Sequence, residues 1–219
     1  MSRFADPRTL YFFFDYISHN AYLAWTQLPA LAQKHGLRIE PVPVLFAGLL
    51  SHYKQVGPAE VPAKSRWMLW NVLRKAQALN VPIEPPHSHP FNPLVPLRTT
   101  CGPMSDAERL TLVDQLFRAT WAESQPVSDA ATVARLAGAA RVAESQTEAV
   151  KAQLRANTDD ALKAGVFGVP TMLVRGELFW GFDDLEYLQQ FLEGRDPVSA
   201  NRSAYQSWFA VLPSATRKR

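Results

Sequence analysis

Ser18 follows the aromatic run Tyr11-Phe-Phe-Phe-Asp15-Tyr-Ile and precedes the apolar spacing that begins at Ala21. It therefore falls where a strand turns into a helix, beside free backbone N–H groups and the positive end of a helix dipole. An anion is favoured there, and a hydroxyl donating to a bound thiolate would lower the thiol's pKa. Ser is also a preferred N-cap, so capping alone would account for it, and the two roles are compatible. A serine nucleophile would need a base nearby, and the local sequence supplies none. His19 is adjacent, but neighbouring side chains on a turn diverge, so it is expected to face solvent or substrate.

Three further places carry candidate chemistry. In Val166-Phe-Gly-Val169-Pro170-Thr171, a proline after a Gly-containing loop and before a strand is a candidate cis-proline. A cis bond would leave the Val169 backbone free to pair with an extended, peptide-like ligand. The alternative is an ordinary loop entering a strand. Asp183, after Trp180-Gly-Phe, fits a capping box with Glu186 or could hold a ligand ammonium. Lys64 opens a helix, where its charge opposes the dipole, which points to a carboxylate partner or to simple solvation.

Other chemistries are disfavoured. One cysteine, Cys101, excludes an internal disulfide and dithiol exchange, fits a reducing compartment and is expected to be an inert buried thiol. His87 and His89 sit in a Pro-rich loop without an evident third ligand, so no zinc site is expected. The net charge of +3 comes partly from Arg217-Lys218-Arg219, a tail expected to be solvated. No other basic cluster suggests nucleic acid. Leu10–Phe14 is too short for a secretory h-region, and no run approaches the roughly 20 apolar residues of a membrane span. A soluble, cytoplasmic protein is expected.

The elements that position these residues are legible in outline. Leu10–Phe14 reads as a strand buried on both faces. A helix follows from Asn20, with Ala21, Trp25, Leu28 and Ala32 on one face, a kink at Pro29 and a stop at Gly36. Leu37–Val44 reads as a strand that Pro41 and Pro43 push to a sheet edge. From Pro58 to Gly165 the periodicity is helical. Leu69, Val72, Leu73, Ala76 and Leu79 form one stripe, and Ser105-x-x-Glu108 is a capping box. Ser128 is placed as the cap of Val133–Ala140, and Ser145 as the cap of Val150–Ala164. Pro82–Pro96 is expected to be irregular. Thr171–Arg175 and Leu178–Trp180 form a hairpin, and Asp183–Leu192 a helix stopped by Gly194. The order β-α-β, helical block, β-β-α is that of an α/β, thioredoxin-like fold with an inserted all-helical domain. The discontinuous first domain covers residues 1–45 and 165–219, the insertion 46–164.

Together with Gly57-Pro-Ala-Glu-Val-Pro-Ala-Lys64 and His89-Pro-Phe-Asn-Pro-Leu94, these motifs resemble the 2-hydroxychromene-2-carboxylate isomerase family, from about residue 10 to 193. That family is related to kappa-class glutathione transferases and DsbA-type proteins. The resemblance implies glutathione as cofactor, a small aromatic substrate and a homodimer. Ser18 would face the glutathione sulfur, and Val169, beside Pro170, would pair with the tripeptide backbone. Asp183 would hold the γ-glutamyl end, and Lys64 would meet a carboxylate. The implied reaction is a cis–trans isomerisation giving trans-o-hydroxybenzylidenepyruvate in aromatic-compound catabolism. Competing expectations are a kappa-like transferase that consumes glutathione and a non-catalytic thioredoxin-fold binding or chaperone protein. Two departures alter the pocket rim. His19 and Ala21 stand where members commonly have Pro and Ser, and Phe182 stands where many have Ser or Asn.

Overall fold

The computed structural model describes residues 3–209 and 211; the Arg217-Lys218-Arg219 tail lies outside them. The chain opens with β1 (Thr9–Phe14), α1 (His19–Lys34) and β2 (Arg38–Pro43). Seven α-helices follow, with a short 3₁₀ helix at Pro58–Glu60 between the first two: α2 (Phe46–Tyr53), α3 (Pro62–Leu79), α4 (Leu94–Cys101), α5 (Asp106–Trp121), α6 (Ala130–Ala137), α7 (Ala139–Glu144) and α8 (Glu148–Lys163). The chain then returns to β3 (Thr171–Val174), β4 (Glu177–Trp180) and α9 (Leu185–Leu192). The sheet order is β2-β1-β3-β4, with β1 and β2 parallel and the other pairs antiparallel. This is the thioredoxin-like α/β fold with inserted helices that the element order predicts. Among the described residues, no helix is long and apolar enough to cross a membrane.

Every residue of β1 is buried, and its alternation divides two cores. Leu10, Phe12 and Phe14 face the α1 side, with Tyr22, Trp25 and Phe117 of α5. Tyr11 and Phe13 face the other, with Leu49 of α2 and Ala161 of α8. The inserted helices therefore cover both faces of the sheet. β2 lies at the edge, where Pro41 and Pro43 leave few donors missing from the ladder. The hairpin turns on Arg175 and Gly176, both at positive φ, which matches the twist of the flanking strands.

Several expectations fail at helix ends and faces. Pro96 lies in the first turn of α4, where no intrahelical donor is lost, so the Pro-rich stretch becomes helical from Leu94. Asp129, not Ser128, caps α6 through the Ala131 N–H, and that helix breaks at Gly138 instead of running to Ala140. Thr147, not Ser145, caps α8, while the Ser145 hydroxyl donates to Val142 O. On α3 only Val72 and Ala76 are buried; Leu69 and Leu73 face outward and are exposed. α9 starts at Leu185, so Asp183 is not its cap, and the Asp183–Glu186 box does not form. Asp184 occupies the cap position, but its carboxylate accepts from the Trp180 N–H instead.

Candidate functional site

The turn carrying Ser18 is built by Asp15. Its carboxylate is buried and accepts from the Ile17 N–H at 3.1 Å and the Phe46 N–H at 3.0 Å. Burial pushes the Asp15 carboxyl up to about 7, with those two N–H groups pulling the other way. The Asp15 carbonyl accepts from the Ser18 N–H, closing the turn into α1. Ser18 is the N-cap: its Oγ accepts from the Ala21 N–H at 3.2 Å. The His19 and Asn20 N–H groups have no hydrogen-bond partner among the described residues, so two donors remain open at the positive end of α1.

The loop before β3 meets this turn. The Val169–Pro170 bond is cis, and the Ser18 hydroxyl donates to Val169 O at 3.4 Å. The Val169 N–H has no partner among the described residues. Pro170 O accepts from the Gly181 N–H, and Thr171 Oγ1 donates to Gly168 O, which ties the loop to β3 and to the residue after β4. Gly168 is held flat against the Trp180 indole: a Cβ there would lie 2.5 Å from Nε1. Phe167 and Trp180 pack with centroids 5.0 Å apart and their planes tilted by 49°, both partly exposed.

Asp183 sits on the same rim. Its carboxylate pairs with the Lys75 ammonium of α3 at 2.9 Å. Lys75 also contacts Asn20 Oδ1 at 3.4 Å and lies 5.0 Å above the Phe182 ring. Sequence reasoning missed Lys75, although a signal existed. Position 75 falls between Val72, Ala76 and Leu79 at helical spacing, on the inward side of α3, and a charge there requires a partner. Lys64 is exposed in the first turn of α3 and makes no ion pair among the described residues. The structure thus brings Ser18, Val169 and Pro170 together and places Asp183 beside them through Lys75 and Asn20, while no hydrogen bond or ion pair among the described residues ties Lys64 to them.

His19 is buried, contrary to the expectation that it faces solvent or substrate. It packs edge-on to Trp121 with centroids 5.7 Å apart, because α5 closes over the turn. Its Nδ1 is enclosed with no hydrogen-bond partner. Burial holds the ring down to about 4, helped by the nearby His89 and Lys75, with a weaker opposing pull from Asn20. His89 also packs on Trp121 and joins its Nε2 to Ile17 O, so this histidine braces the turn. Burial pushes the Cys101 thiol up to about 12, which keeps it protonated and inert.

Residues 9–193 match the family model of the DSBA-like thioredoxin domain. Glutathione S-transferase kappa 1 of Rattus norvegicus is 27% identical over 207 residues, covering 85% of this chain and 91% of that protein. The 2-hydroxychromene-2-carboxylate isomerase of Sphingobium xenophagum is 28% identical over 193 residues, covering 84% and 98%. A solved structure of a 2-hydroxychromene-2-carboxylate isomerase superposes with a TM-score of 0.76 at 26% identity, covering 94% of this chain and all of that one. The fold, the cis-proline loop facing the α1 N-terminus and the length of the match agree: the chain belongs to the DSBA-like thioredoxin domain family.

Proposed function

We propose that this chain is a glutathione-dependent cis–trans isomerase acting on 2-hydroxychromene-2-carboxylate or a close analogue. The observation that carries this reading is the Ser18 hydroxyl at the α1 N-terminus, joined to the carbonyl of Val169. The two isomerase relatives and the kappa-class transferase support it. The residues fit a tripeptide thiol. The Val169 N–H is open to an extended backbone, and the His19 and Asn20 N–H groups are open to an anion.

Glutathione held there would supply the chemistry of a thiolate able to add reversibly to a conjugated double bond, with free thiol regenerated. The chain's own part is binding, ionisation and orientation. Ser18 turns its hydroxyl from Val169 O, a bond at the long and weak end of the range, towards the sulfur. The α1 dipole favours the same negative charge. Val169, whose N–H has no partner among the described residues, pairs with the cysteinyl backbone. Asp183 holds the γ-glutamyl ammonium, and Lys64 meets a carboxylate from the exposed start of α3. Phe167 and Trp180, tilted against each other at the loop, offer exposed aromatic surface for an aromatic acceptor. The buried, neutral His19 keeps a second positive charge away from the substrate side of the turn.

The biological setting we infer is aromatic-compound catabolism in the cytoplasm, with the protein as a homodimer. A kappa-like transferase is the second reading, favoured by the rat relative. Calorimetric titration with glutathione, followed by an absorbance assay on hydroxychromene carboxylate, tests both. Isomerisation with free thiol recovered supports the proposal. Accumulating conjugate favours the transferase, and no glutathione binding overturns both.

A further inference from the structure

The sequence beside Ser18 holds no base, but the fold brings one from the Pro-rich loop. His89 lies 72 residues beyond Ile17, and its Nε2 is 3.2 Å from Ile17 O. A carbonyl oxygen only accepts, so the neutral ring carries its proton on Nε2 and its lone pair on Nδ1. His89 is exposed, and no hydrogen bond among the described residues engages Nδ1. The ring packs on the buried Trp121 indole with centroids 5.8 Å apart. That indole is itself fixed, since its Nε1–H donates to Tyr16 O at 2.9 Å. His19 packs on the same indole. His89 is therefore held against the residues on both sides of Ser18: Ile17 directly and His19 across Trp121.

The other titratable groups at this turn are already engaged or enclosed. The two Asp15 carboxylate oxygens accept from the Ile17 and Phe46 N–H groups. His19 Nδ1 is shut in, and Lys75, whose charge reaches His19, is paired with Asp183. The Ser18 hydroxyl donates to Val169 O and makes no bond to His89, so the two do not form an activated serine. We propose that His89 Nδ1 is the proton acceptor for the ligand thiol. The S–H bond breaks, its electron pair stays on sulfur, and the proton forms an N–H bond at Nδ1. Ile17 O keeps the Nε2–H throughout, so the imidazolium sits as the neutral ring did. The thiolate then faces the Ser18 hydroxyl and the α1 N-terminus with a cation at its side. When the sulfur is released, the imidazolium returns the proton and free thiol is restored. The inference rests on the reading of glutathione as ligand.

Calorimetry in two buffers of different ionisation enthalpy counts the protons exchanged on binding and tests the proposal. The measurement belongs at about pH 7.5, between the ordinary values of an imidazole, about 6.5, and a thiol, about 8.5. Glutathione on the native chain should show thiolate absorbance with no proton passed to the buffer, because His89 keeps it. His89→Gln sets an amide N–H in place of Nε2 but has no basic nitrogen. In that variant the thiolate should be lost, or form with about one proton released, and turnover should fall about a hundredfold or more. S-methylglutathione, which has no thiol, should bind the native chain and His89→Gln alike. Bound thiol without thiolate absorbance in the native chain, or thiolate with about one proton released from it, would overturn the proposal while leaving the glutathione site intact. Equal weakening of glutathione and S-methylglutathione in His89→Gln, with an unchanged proton count, would reduce His89 to a brace and overturn it too. Binding of neither ligand by the native chain would remove the glutathione reading and this inference with it.

Discussion

Ser18 carries two separable loads, and substitutions divide them. Its Oγ accepts the Ala21 N–H as a cap, and its proton, given to Val169 O across a long 3.4 Å, is the one we propose turns to a thiolate. Ser18→Ala loses both, so about 1 kcal/mol of stability should go with the cap. The pKa of bound glutathione should rise, and turnover should fall about tenfold or more, as for a lost charge-assisted hydrogen bond. Ser18→Asp keeps a capping oxygen but sets a negative charge against the thiolate. Its melting temperature should stay near native while thiolate absorbance shifts to higher pH. An unshifted thiolate titration in both variants would reduce Ser18 to a cap. The flanking residues Asp15 and His19 make a second, electrostatic pair of predictions. The Asp15 carboxyl rises from 3.8 to about 7 on folding, so its contribution favours the fold at low pH and is lost as pH rises through that value. The His19 ring falls from 6.5 to about 4, so its contribution is present above 6.5 and lost as pH falls through 4. Between pH 4 and 6.5 the two gradients oppose. His19→Gln should therefore make stability decline more steeply with rising pH. Asp15→Asn should make it increase over the same range, beneath a uniform loss of about 1–3 kcal/mol from one unpartnered N–H. Denaturant melts across that window check both; native slopes in both variants would remove the opposition.

At the scale of elements, the cis-proline loop is fixed by what Gly168 lacks. A Cβ would press on the Trp180 indole at 2.5 Å, but that indole is half exposed and can swing outward. Gly168→Ala should therefore release Trp180 from its contact with Phe167, red-shift the tryptophan emission and cost about 1 kcal/mol. In a Trp180→Ala background the same change should cost almost nothing, and a full cost there would place the strain elsewhere. The loop itself was legible only in context: Gly-Val-Pro-Thr before a strand also suits an ordinary loop, and the Ser18 junction with the β-α-β, β-β-α order is what singled it out. β1 was legible by itself: an unbroken aromatic run suits only a strand buried twice. Helix caps were less so. Ser128-Asp129 and Ser145-Gln-Thr147 each offer two capping side chains within three residues, and tertiary contacts choose between them. Asp183 failed as a cap for the same reason, since a lysine far off in sequence claims its carboxylate. α3 has apolar residues on nearly all sides, at 67, 69, 70, 72, 73, 76 and 79, so the inward stripe of Val72, Ala76 and Leu79 is masked by the outward apolar residues and was read too broadly.

At the scale of the whole molecule, that ambiguity leaves a surface. α3 buries Val72 and Ala76 but exposes Trp67, Leu69, Trp70 and Leu73, at 59, 61, 64 and 45%. Their spacings of three and four keep them on one outward side, across the helix from Lys75. Scattered exposed apolar residues are ordinary, but two tryptophans and two leucines on one helix face form a contiguous patch, which marks an interaction surface. Tryptophan is also the residue type most enriched at the centres of interfaces. The homodimer we propose would bury this face against its own copy, a self-complementary contact across a two-fold axis. The full chain should then sediment as a dimer at micromolar concentration. Trp70→Glu with Leu73→Glu should give a monomer with an unchanged circular dichroism spectrum, because both side chains lie outside the core. Each buried charge would stand unpaired across the axis, facing its own copy. A native chain that sediments as a monomer would remove the dimer, and a dimer that survives both substitutions would move its interface off α3.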